Sequence, residues 1–356
     1  MADLNRDDRG QIILIAAFAL AVTFVALALI VNSAIFTENL ASRGETAGSD
    51  DALAMRAMVE TNAGAALTAA NRYNYSTDSV RDEAITFAVN NTSMQTEQQQ
   101  AMTGTLVNVS YAPSESETGV RIAQNSTDAA KPTFESANVS QPFDSSANYT
   151  LARDITRSGT DGENATRAFV INATTSSIQE GNSSSFEVEV REASVLAGVN
   201  TNTWQLLIFE STSNNSIHVR TAVNEGGSYR ETQCVVDPER SYIHIDVTGG
   251  TVQGEPCQAL GITSGGENYQ FGAGATDNYN IRFNNASQIA GNFSLVVLDP
   301  DTPDSIIANV QDGPGSNSDN PYWTDAYYEI TVEYSYDTPN LRYVTDIRVA
   351  PGEPDD

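Results

Sequence analysis

The residues best suited to chemistry in this chain include two histidines, two cysteines and one loop rich in carboxylates. His244 precedes Asp246 by two positions, so on a strand the two side chains would share a face as a possible base and its orienting partner. The sequence contains no nucleophile elbow, phosphate-binding loop, zinc-protease helix or dinucleotide fingerprint beside them. A structural pair is therefore favoured over a catalytic one. The sequence predicts neither an enzyme nor a cofactor.

Three carboxylates in one loop, Asp299, Asp301 and Asp304, are the weak candidate for a metal site. Hard oxygen ligands at this spacing can hold calcium. The loop lacks the glycine and the terminal glutamate of an EF-hand, and a chain this acidic forms such clusters by chance. No other metal site is predicted.

Cys234 and Cys257 are the only cysteines, and no Cys-x-x-Cys pair or Cys/His ligand set accompanies them. In an exported protein, such a pair predicts one disulfide that closes a short loop. Inside a cell, the same pair would predict two buried thiols.

Thirteen asparagines occupy Asn-x-Ser/Thr acceptor sites, which suits a glycosylated surface protein, although a chain rich in Asn, Ser and Thr also forms such sites by chance. They are Asn74, Asn90, Asn91, Asn108, Asn125, Asn138, Asn148, Asn164, Asn172, Asn182, Asn214, Asn285 and Asn292.

The net charge of −28 results from 46 acidic residues against 18 basic ones, of which Lys131 is the only lysine. Such a surface repels the phosphates of nucleic acids and anionic lipid headgroups, so neither is a predicted partner. Molar salt shortens the Debye length to ~3 Å and screens the self-repulsion. This composition resembles that of proteins from halophilic archaea. An acidic disordered chain is the alternative, and the many strand-patterned segments disfavour it.

An uncharged apolar segment of twenty residues, Ile12 to Val31, is interrupted only by Thr23. As a helix it would be ~30 Å long, which matches the hydrocarbon core of a bilayer. The side chains expected to contact lipid or neighbouring helices include Ile12, Leu14, Phe18, Leu20, Phe24, Leu27 and Val31. A cleaved secretory signal has a shorter apolar core, so we expect this segment to remain on the protein.

The arginines around this segment predict its orientation. Arg6 and Arg9 precede it, and Arg43 is the first basic residue after it. The positive-inside rule therefore favours a cytoplasmic N-terminus and an extracellular C-terminal domain in a single-pass membrane protein. This orientation exposes the cysteines and the glycosylation sites to the outside of the cell.

The residues Asp7-Asp8-Arg9-Gly10-Gln11-Ile12-Ile13 resemble the class III signal of archaeal type IV pilin-like proteins and archaellins. In that family a prepilin peptidase cuts after the glycine, which here would be between Gly10 and Gln11. The resemblance implies a helix that first lies in lipid and then packs with sister helices in a filament core. Two features depart from the family: Ile15 stands where many pilins have glutamate, and the longer apolar segment of major pilins is absent. A plain signal anchor stays the alternative.

Two wider stretches, Asp8 to Arg43 and Tyr343 to Pro351, look like an uncharacterised family of pilin-like proteins from halophilic archaea. This resemblance covers both ends of the chain well and its middle poorly.

Periodicity predicts an α+β protein in which helices precede an antiparallel β-sandwich-like domain. Apolar residues recur at helical spacing over Leu53–Tyr73, and Ser79 with Asp82 has the pattern of a capping box for a second helix that fades near Thr92. From residue 105 onward the period is two. The predicted strands are Thr105–Tyr111, Gly119–Ala123, Arg167–Ile171, Ser185–Val190, Thr203–Phe209, Ser216–Ala222, Tyr242–Val247, Tyr279–Phe283, Asn292–Leu298, Tyr328–Tyr334 and Leu341–Val349.

The predicted organisation is a leader at 1–10, an apolar helix at 11–40, a helical stalk at 41–104 and an extracellular β domain at 105–356. Ser, Thr and Asn dominate residues 125–163, which are expected to form a loose insertion. The aromatic run Tyr322 to Tyr328 could bind sugars, although aromatics that lead into a strand more often fill a core.

The favoured function is a minor pilin-like subunit, structural or adhesive, of a surface filament or its assembly machinery. Its expected partners are membrane lipid, other pilin-like subunits and the prepilin peptidase. A monomeric anchored protein that binds glycans or envelope components is the second hypothesis, and an anchored secreted hydrolase is the third.

Overall fold

The computed structural model describes residues 49–73, 77–102, 104–124, 132–155, 165–193, 202–237, 241–275, 277–298, 307–314 and 320–350. The proposed cleavage site at Gly10 and Gln11 and the apolar segment from Ile12 to Val31 lie outside these residues. Within the described ranges, no helix is long and apolar enough to cross a membrane.

The described chain contains two α-helices followed by fifteen strands. Helix α1 covers residues 49–73 and α2 covers Asp78–Ala101. The strands are β1 Leu106–Gln124, β2 Tyr149–Ile155, β3 Thr166–Thr174, β4 Phe186–Glu192, β5 Thr203–Glu210, β6 Ile217–Glu225, β7 Ser228–Val236, β8 Tyr242–Asp246, β9 Thr251–Val252, β10 Glu255–Pro256, β11 Tyr279–Asn284, β12 Gly291–Leu298, β13 Gln311–Asp312, β14 Tyr322–Asp337 and β15 Arg342–Val349.

The strands form two sheets. The nine-stranded sheet has the order β10-β9-β8-β3-β12-β1-β14-β13, with β15 also paired to β14, and the six-stranded sheet has the order β2-β11-β4-β5-β6-β7. The pairs in both sheets are antiparallel except the short parallel pair of β13 with β14. The predicted α+β fold with a β-sandwich-like domain is therefore confirmed.

The protein has two main hydrophobic cores because its two longest strands extend beyond the sandwich. The larger core lies between the two sheets and includes interlocked rings of Phe134, Phe186, Phe283 and Phe293 in edge-to-face contact. The smaller core lies between the helices and the far ends of β1, β14 and β15. Strands β1 and β14 contribute side chains to both cores.

Helix α1 packs on the sheet through small and aliphatic side chains at helical spacing. Ala52, Val59, Ala63, Leu67 and Ala70 are all buried in the smaller core. The small residues let the helix axis approach the sheet closely, while Leu67 fills the space between them. The spacing of seven, four, four and three residues keeps these side chains on one face.

Helix side chains complete the edge of β14 between two strand partners. Strand β13 pairs with the start of β14, and β15 pairs with it only from Ile330 onward. In the gap, Asn71 donates from Nδ2 to the carbonyl oxygen of Tyr327 and accepts from its N–H, both at 2.8 Å. Arg81 donates to the carbonyl oxygen of Asp325 at 3.1 Å. The helices thus satisfy backbone groups that a neighbouring strand would otherwise pair.

The second helix is longer than its apolar pattern predicts. It continues to Ala101 because Ser93 and Thr96 carry the buried stripe onward with polar side chains. The Ser93 hydroxyl accepts a hydrogen bond from the N–H of Val109 at 3.1 Å. The predicted capping box at Ser79 is wrong, because the N-cap is Thr77, whose side chain accepts from the N–H of Val80.

Each predicted strand overlaps a strand of the structure, and the first two belong to one continuous strand, β1, of 19 residues. Gly119 lies where β1 begins to pair with β12 as well as β14. A Cβ atom there would lie 2.8 Å from the carbonyl oxygen of Val297 and 3.0 Å from Cβ of Tyr328. Only glycine fits between the two neighbouring strands.

Five of the described strands were not predicted, namely the two-residue strands β9, β10 and β13 and the longer strands β2 and β7. Strand β2 lies within residues 125–163, where the sequence predicts a loose insertion, and its pairing with β11 contains register shifts. Strand β7 was also not predicted, because as an edge strand with exposed side chains it has no fully buried apolar face.

Replacing Asn71 by alanine should lower the free energy of unfolding by about 2–4 kcal/mol, because the N–H and carbonyl of Tyr327 would both lose a buried partner. Chemical denaturation of the full chain measures the change. Asn62→Ala is the matched control on an exposed position of the same helix, and it should change stability by no more than about 0.5 kcal/mol. Equal effects of the two substitutions would contradict a bridging role for Asn71.

Asp82 joins α2 to both long strands by accepting hydrogen bonds from the hydroxyls of Tyr111, at 3.0 Å, and Tyr327, at 2.8 Å. Burial raises the pKa of Tyr111 to about 12, and Asp82 adds to the rise. The pKa of Tyr327 is raised as well, first by burial and then by the hydrogen bond to Asp82. The folded protein therefore holds these phenol protons more tightly than the unfolded chain does.

Because these pKa values are raised, their contribution to stability is complete below pH 10, the ordinary value, and declines as the pH rises towards about 12. Urea unfolding at a series of pH values should show a progressive loss of stability over this range. Tyr111→Phe removes one of the titrating groups, so its stability should fall less steeply. Parallel curves for the variant and the wild type would contradict this account.

Candidate functional site

The outer face of the nine-stranded sheet carries the most distinctive group of polar residues in the described structure. Strand alternation places apolar side chains such as Phe293 and Leu295 of β12 in the sandwich core. The residues that alternate with them, including Asn292 and Ser294, line a cleft on the other face of the sheet. The same alternation on β1 buries Ile122 inward and places Arg121 in the cleft.

Arg121 is one of three arginines among the described residues that line this cleft, and it is only 4% exposed. Its Nε donates to the hydroxyl of Ser294 at 2.9 Å. Its Nη1 makes no hydrogen bond to the described part of the chain, and the same is true of the buried hydroxyl of Thr324, the residue opposite it on β14. No carboxylate of the described residues forms an ion pair with Arg121. A buried guanidinium is thus held in place with part of its donor capacity unused.

Arg167 of β3 is the second buried cation, at 2% exposure, and its charge is balanced. It forms an ion pair with Glu329 at 3.2 Å, and Arg348 contacts the same carboxylate. Its guanidinium also lies over the ring of Tyr328, 4.2 Å from the centroid. These contacts hold the Arg167 side chain in place at the side of the cleft.

A ladder of polar side chains crosses β8, β3 and β12 at the other side of the cleft. Asn172 stands opposite both His244 and Asn292 in the strand register. Its Oδ1 lies 2.7 Å from Nδ1 of His244, and its Nδ2 donates to Oδ1 of Asn292 at 3.0 Å. His244 therefore donates from Nδ1 and keeps Nε2 available to a ligand.

The C-terminal end of α1 closes the cleft from above with Leu67, Thr68, Asn71 and Arg72, and the enclosed volume is about 270 Å³. Ala168, Val170 and Val296 contribute an apolar floor. Among the described residues that line the cleft, none is Asp or Glu, although the chain has 46 of them. The cleft can therefore provide amide, hydroxyl, imidazole and guanidinium groups to an acidic polar molecule.

The structure does not bring the histidine and aspartate of β8 together as a dyad. His244 bonds to Asn172, whereas Asp246 accepts a hydrogen bond from the N–H of Gly249 at 2.8 Å, at the turn after the strand. The aromatic run that begins β14 is also structural. Tyr322, Tyr327 and Tyr328 are buried, as the sequence favoured, and form no exposed sugar-binding platform.

The predicted glycosylation sites fall into three groups. Exposed asparagines of the described residues are Asn90, Asn108, Asn138, Asn182 and Asn214, while Asn91, Asn148, Asn172, Asn285 and Asn292 are partly buried. The Nδ2 atoms of Asn172 and Asn285, which glycosylation would modify, donate hydrogen bonds to Asn292 and to the carbonyl oxygen of Ser185. Asn74, Asn125 and Asn164 lie outside the described residues, as do the calcium candidates Asp299, Asp301 and Asp304.

The structure joins Cys234 and Cys257 in a disulfide with a Cα–Cα distance of 5.8 Å, which confirms the pairing predicted for an exported protein. Cys234 lies on β7, the edge of one sheet, and Cys257 follows β10, the edge of the other. The disulfide therefore connects the two layers of the sandwich at one side.

A family model matches part of the chain. Residues 6–136 match the model of a family of unknown function, DUF7261. The match starts before the apolar segment and runs through α1, α2 and β1. No curated protein matches the chain.

Sequence reasoning did not identify the cleft. Arg121, Ser294 and Asn71 lie on three elements far apart in the chain, so no local motif connects them. The available signal was the strand alternation, which places arginine or asparagine at outward positions of β1, β3 and β12. Arginines at such positions stand out because the chain has few basic residues.

Replacing both cysteines by alanine should lower the free energy of unfolding by about 3 kcal/mol, because the disulfide closes a loop with a sequence separation of 23. Thermal denaturation with and without reductant measures this effect. Reductant should lower the melting temperature of the wild type and leave that of Cys234→Ala/Cys257→Ala unchanged. A wild type insensitive to reductant after complete thiol formation would show that the disulfide contributes no stability.

Proposed function

We propose that this protein is an exported, membrane-anchored surface protein of the type IV pilin-like kind, a minor structural or adhesive subunit of a filament or its assembly machinery. The observation that carries the proposal is the Arg9-Gly10-Gln11 sequence directly before the uncharged segment Ile12 to Val31. A membrane-embedded peptidase could cut at this glycine and leave the apolar helix on the subunit.

The arrangement of α1 supports the same proposal. A subunit of this kind needs an apolar N-terminal helix with a globular domain firmly connected to it, because the helix is the part that is inserted into the membrane or moved into the filament. The chain leads from the apolar segment to α1, and α1 is fastened to the sheet by a buried apolar stripe and by Asn71. Force on α1 would pass directly to β14, which lies next to one end of the nine-stranded sheet and pairs along most of its length with β1.

Export is supported by two further features. The disulfide between the sheets is typical of an oxidising environment. Exposed acceptor asparagines such as Asn108 and Asn182 are accessible to glycosylation. A monomeric signal-anchored surface protein would share both features, so the fate of the leader is what separates the two functions.

The test is the N-terminus of the mature protein, determined by mass spectrometry on membranes of the native host. Processing predicts Gln11 as the first residue. Gly10→Val should accumulate as a precursor that keeps the ten leader residues and still resides in the membrane, because the apolar segment is unchanged.

Ala19→Val is the matched control, since it places the same side chain within the apolar segment and leaves the cleavage motif intact. This variant should be processed like the wild type. A wild-type protein that keeps Met1 or Ala2, with the same mobility as Gly10→Val, would refute the pilin-like proposal and leave a plain signal anchor.

A further inference from the structure

We propose that the cleft between α1 and the outer face of the nine-stranded sheet binds an acidic sugar, with Arg121 receiving its carboxylate. This site does not depend on how the N-terminus is processed, because the cleft residues that the argument uses lie between Leu67 and Tyr328.

The charge of Arg121 is the first step of the argument. Burying an unpaired cation costs free energy, so buried arginines in folded proteins are normally matched by an acid. Arg167, on the neighbouring part of the same face, follows this rule through Glu329. Arg121 has only the neutral hydroxyl of Ser294, and its Nη1 is buried without a partner among the described residues. An anionic ligand would supply the missing charge.

The preference for a carboxylate follows from the shape of the donor set. The guanidinium of Arg121 belongs to the lining of the cleft, and only its Nε has a hydrogen-bond partner in the described chain, the Ser294 hydroxyl. A planar guanidinium and a carboxylate form directional, charge-assisted hydrogen bonds. Because the group is buried, molar salt screens this interaction much less than it screens exposed charges.

The rest of the cleft indicates what carries the carboxylate. Asn172, Asn292, His244 and Thr68 offer amide, imidazole and hydroxyl groups that suit sugar hydroxyls, while Val170 and Val296 provide an apolar floor. A volume of about 270 Å³ is near the lower end for small-molecule clefts, roughly 300 Å³, and suits a single sugar ring. A simple inorganic anion would leave most of these groups without a role.

The experiment uses saturation-transfer NMR on the full-length protein in molar sodium chloride, with D-glucuronate as the probe and D-glucose as its neutral counterpart. The wild type should give a titratable glucuronate signal and bind glucose at least tenfold more weakly, since a hydrogen bond to a charged group is typically worth roughly a tenfold to hundredfold factor in affinity. Inorganic sulfate, added as a competitor, should displace glucuronate only at higher concentration than glucuronate itself requires.

Two variants, each with a matched control, test the assignment. Arg121→Gln should abolish the preference for glucuronate over glucose, whereas Arg342→Gln, at an exposed position outside the cleft, should retain it. Asn292→Asp places a nearly isosteric negative charge in the cleft and should weaken glucuronate binding at least tenfold. Asn108→Asp makes the same change at an exposed position of β1 and should have no effect.

Asn292→Asp keeps the test decisive if Arg121→Gln fails to fold, because Oδ1 of residue 292 still accepts from Asn172. Equal binding of glucuronate and glucose would overturn the role of the carboxylate. Displacement by sulfate at or below the glucuronate concentration would overturn the sugar as ligand. Absence of glucuronate binding to the wild type, or wild-type binding by folded Asn292→Asp, would overturn the site itself.

Discussion

The fold depends on how the free edge of β14 is satisfied between β13 and β15. A strand in the interior of a protein cannot leave its backbone groups unpaired, and along this gap no described strand provides partners. Asn71 of α1 and Arg81 of α2 take that place by bonding to the backbone of Tyr327 and Asp325. The helices are therefore part of the hydrogen-bonding pattern of the sheet as well as a cover for it.

This constraint explains why the helices and the sandwich form one unit. Strands β1 and β14 pair along almost their whole length, and their far ends hold the helical core while their near ends hold the sandwich core. At the junction, the end of α1 must reach Tyr327, which places Leu67 and Thr68 above the outer face of β3 and β12. The cleft around Arg121 follows from this placement. Its position at the meeting point of helix and sheet is a consequence of the contacts that hold the two together.

How much of this could be predicted from the sequence depends on whether the signal was local. Strands with one buried face, such as β3 and β12, alternate apolar and polar residues and were predicted well. Strand β7 lacks such a face, and α2 continues beyond Thr92 through buried Ser93, whose partner Val109 belongs to another element. Tertiary partners decide these cases. The cleft could not be predicted for the same reason. Arg121 is recognised as a candidate binding residue only from its contact with Ser294 and from the absence of a described acid beside it.

The acidity of the chain makes the absence of carboxylates from the described lining of the cleft significant. The chain has 46 acidic residues and 18 basic ones, and most arginines of the described residues have a carboxylate close by; Arg191 and Arg230, for example, contact Glu189 and Glu225. In strong salt such exposed pairs contribute little, because ions screen them over a few ångströms. The electrostatic attraction of a buried guanidinium for an anion is screened less, because water and salt ions are excluded from its surroundings. Recognition of an acidic molecule by such a negatively charged protein in saline medium therefore has two conditions. The protein must place its own cations around the ligand, and it must keep its carboxylates away from the ligand. Among the described residues, the lining of the cleft meets both conditions, because it includes Arg121 and contains neither Asp nor Glu.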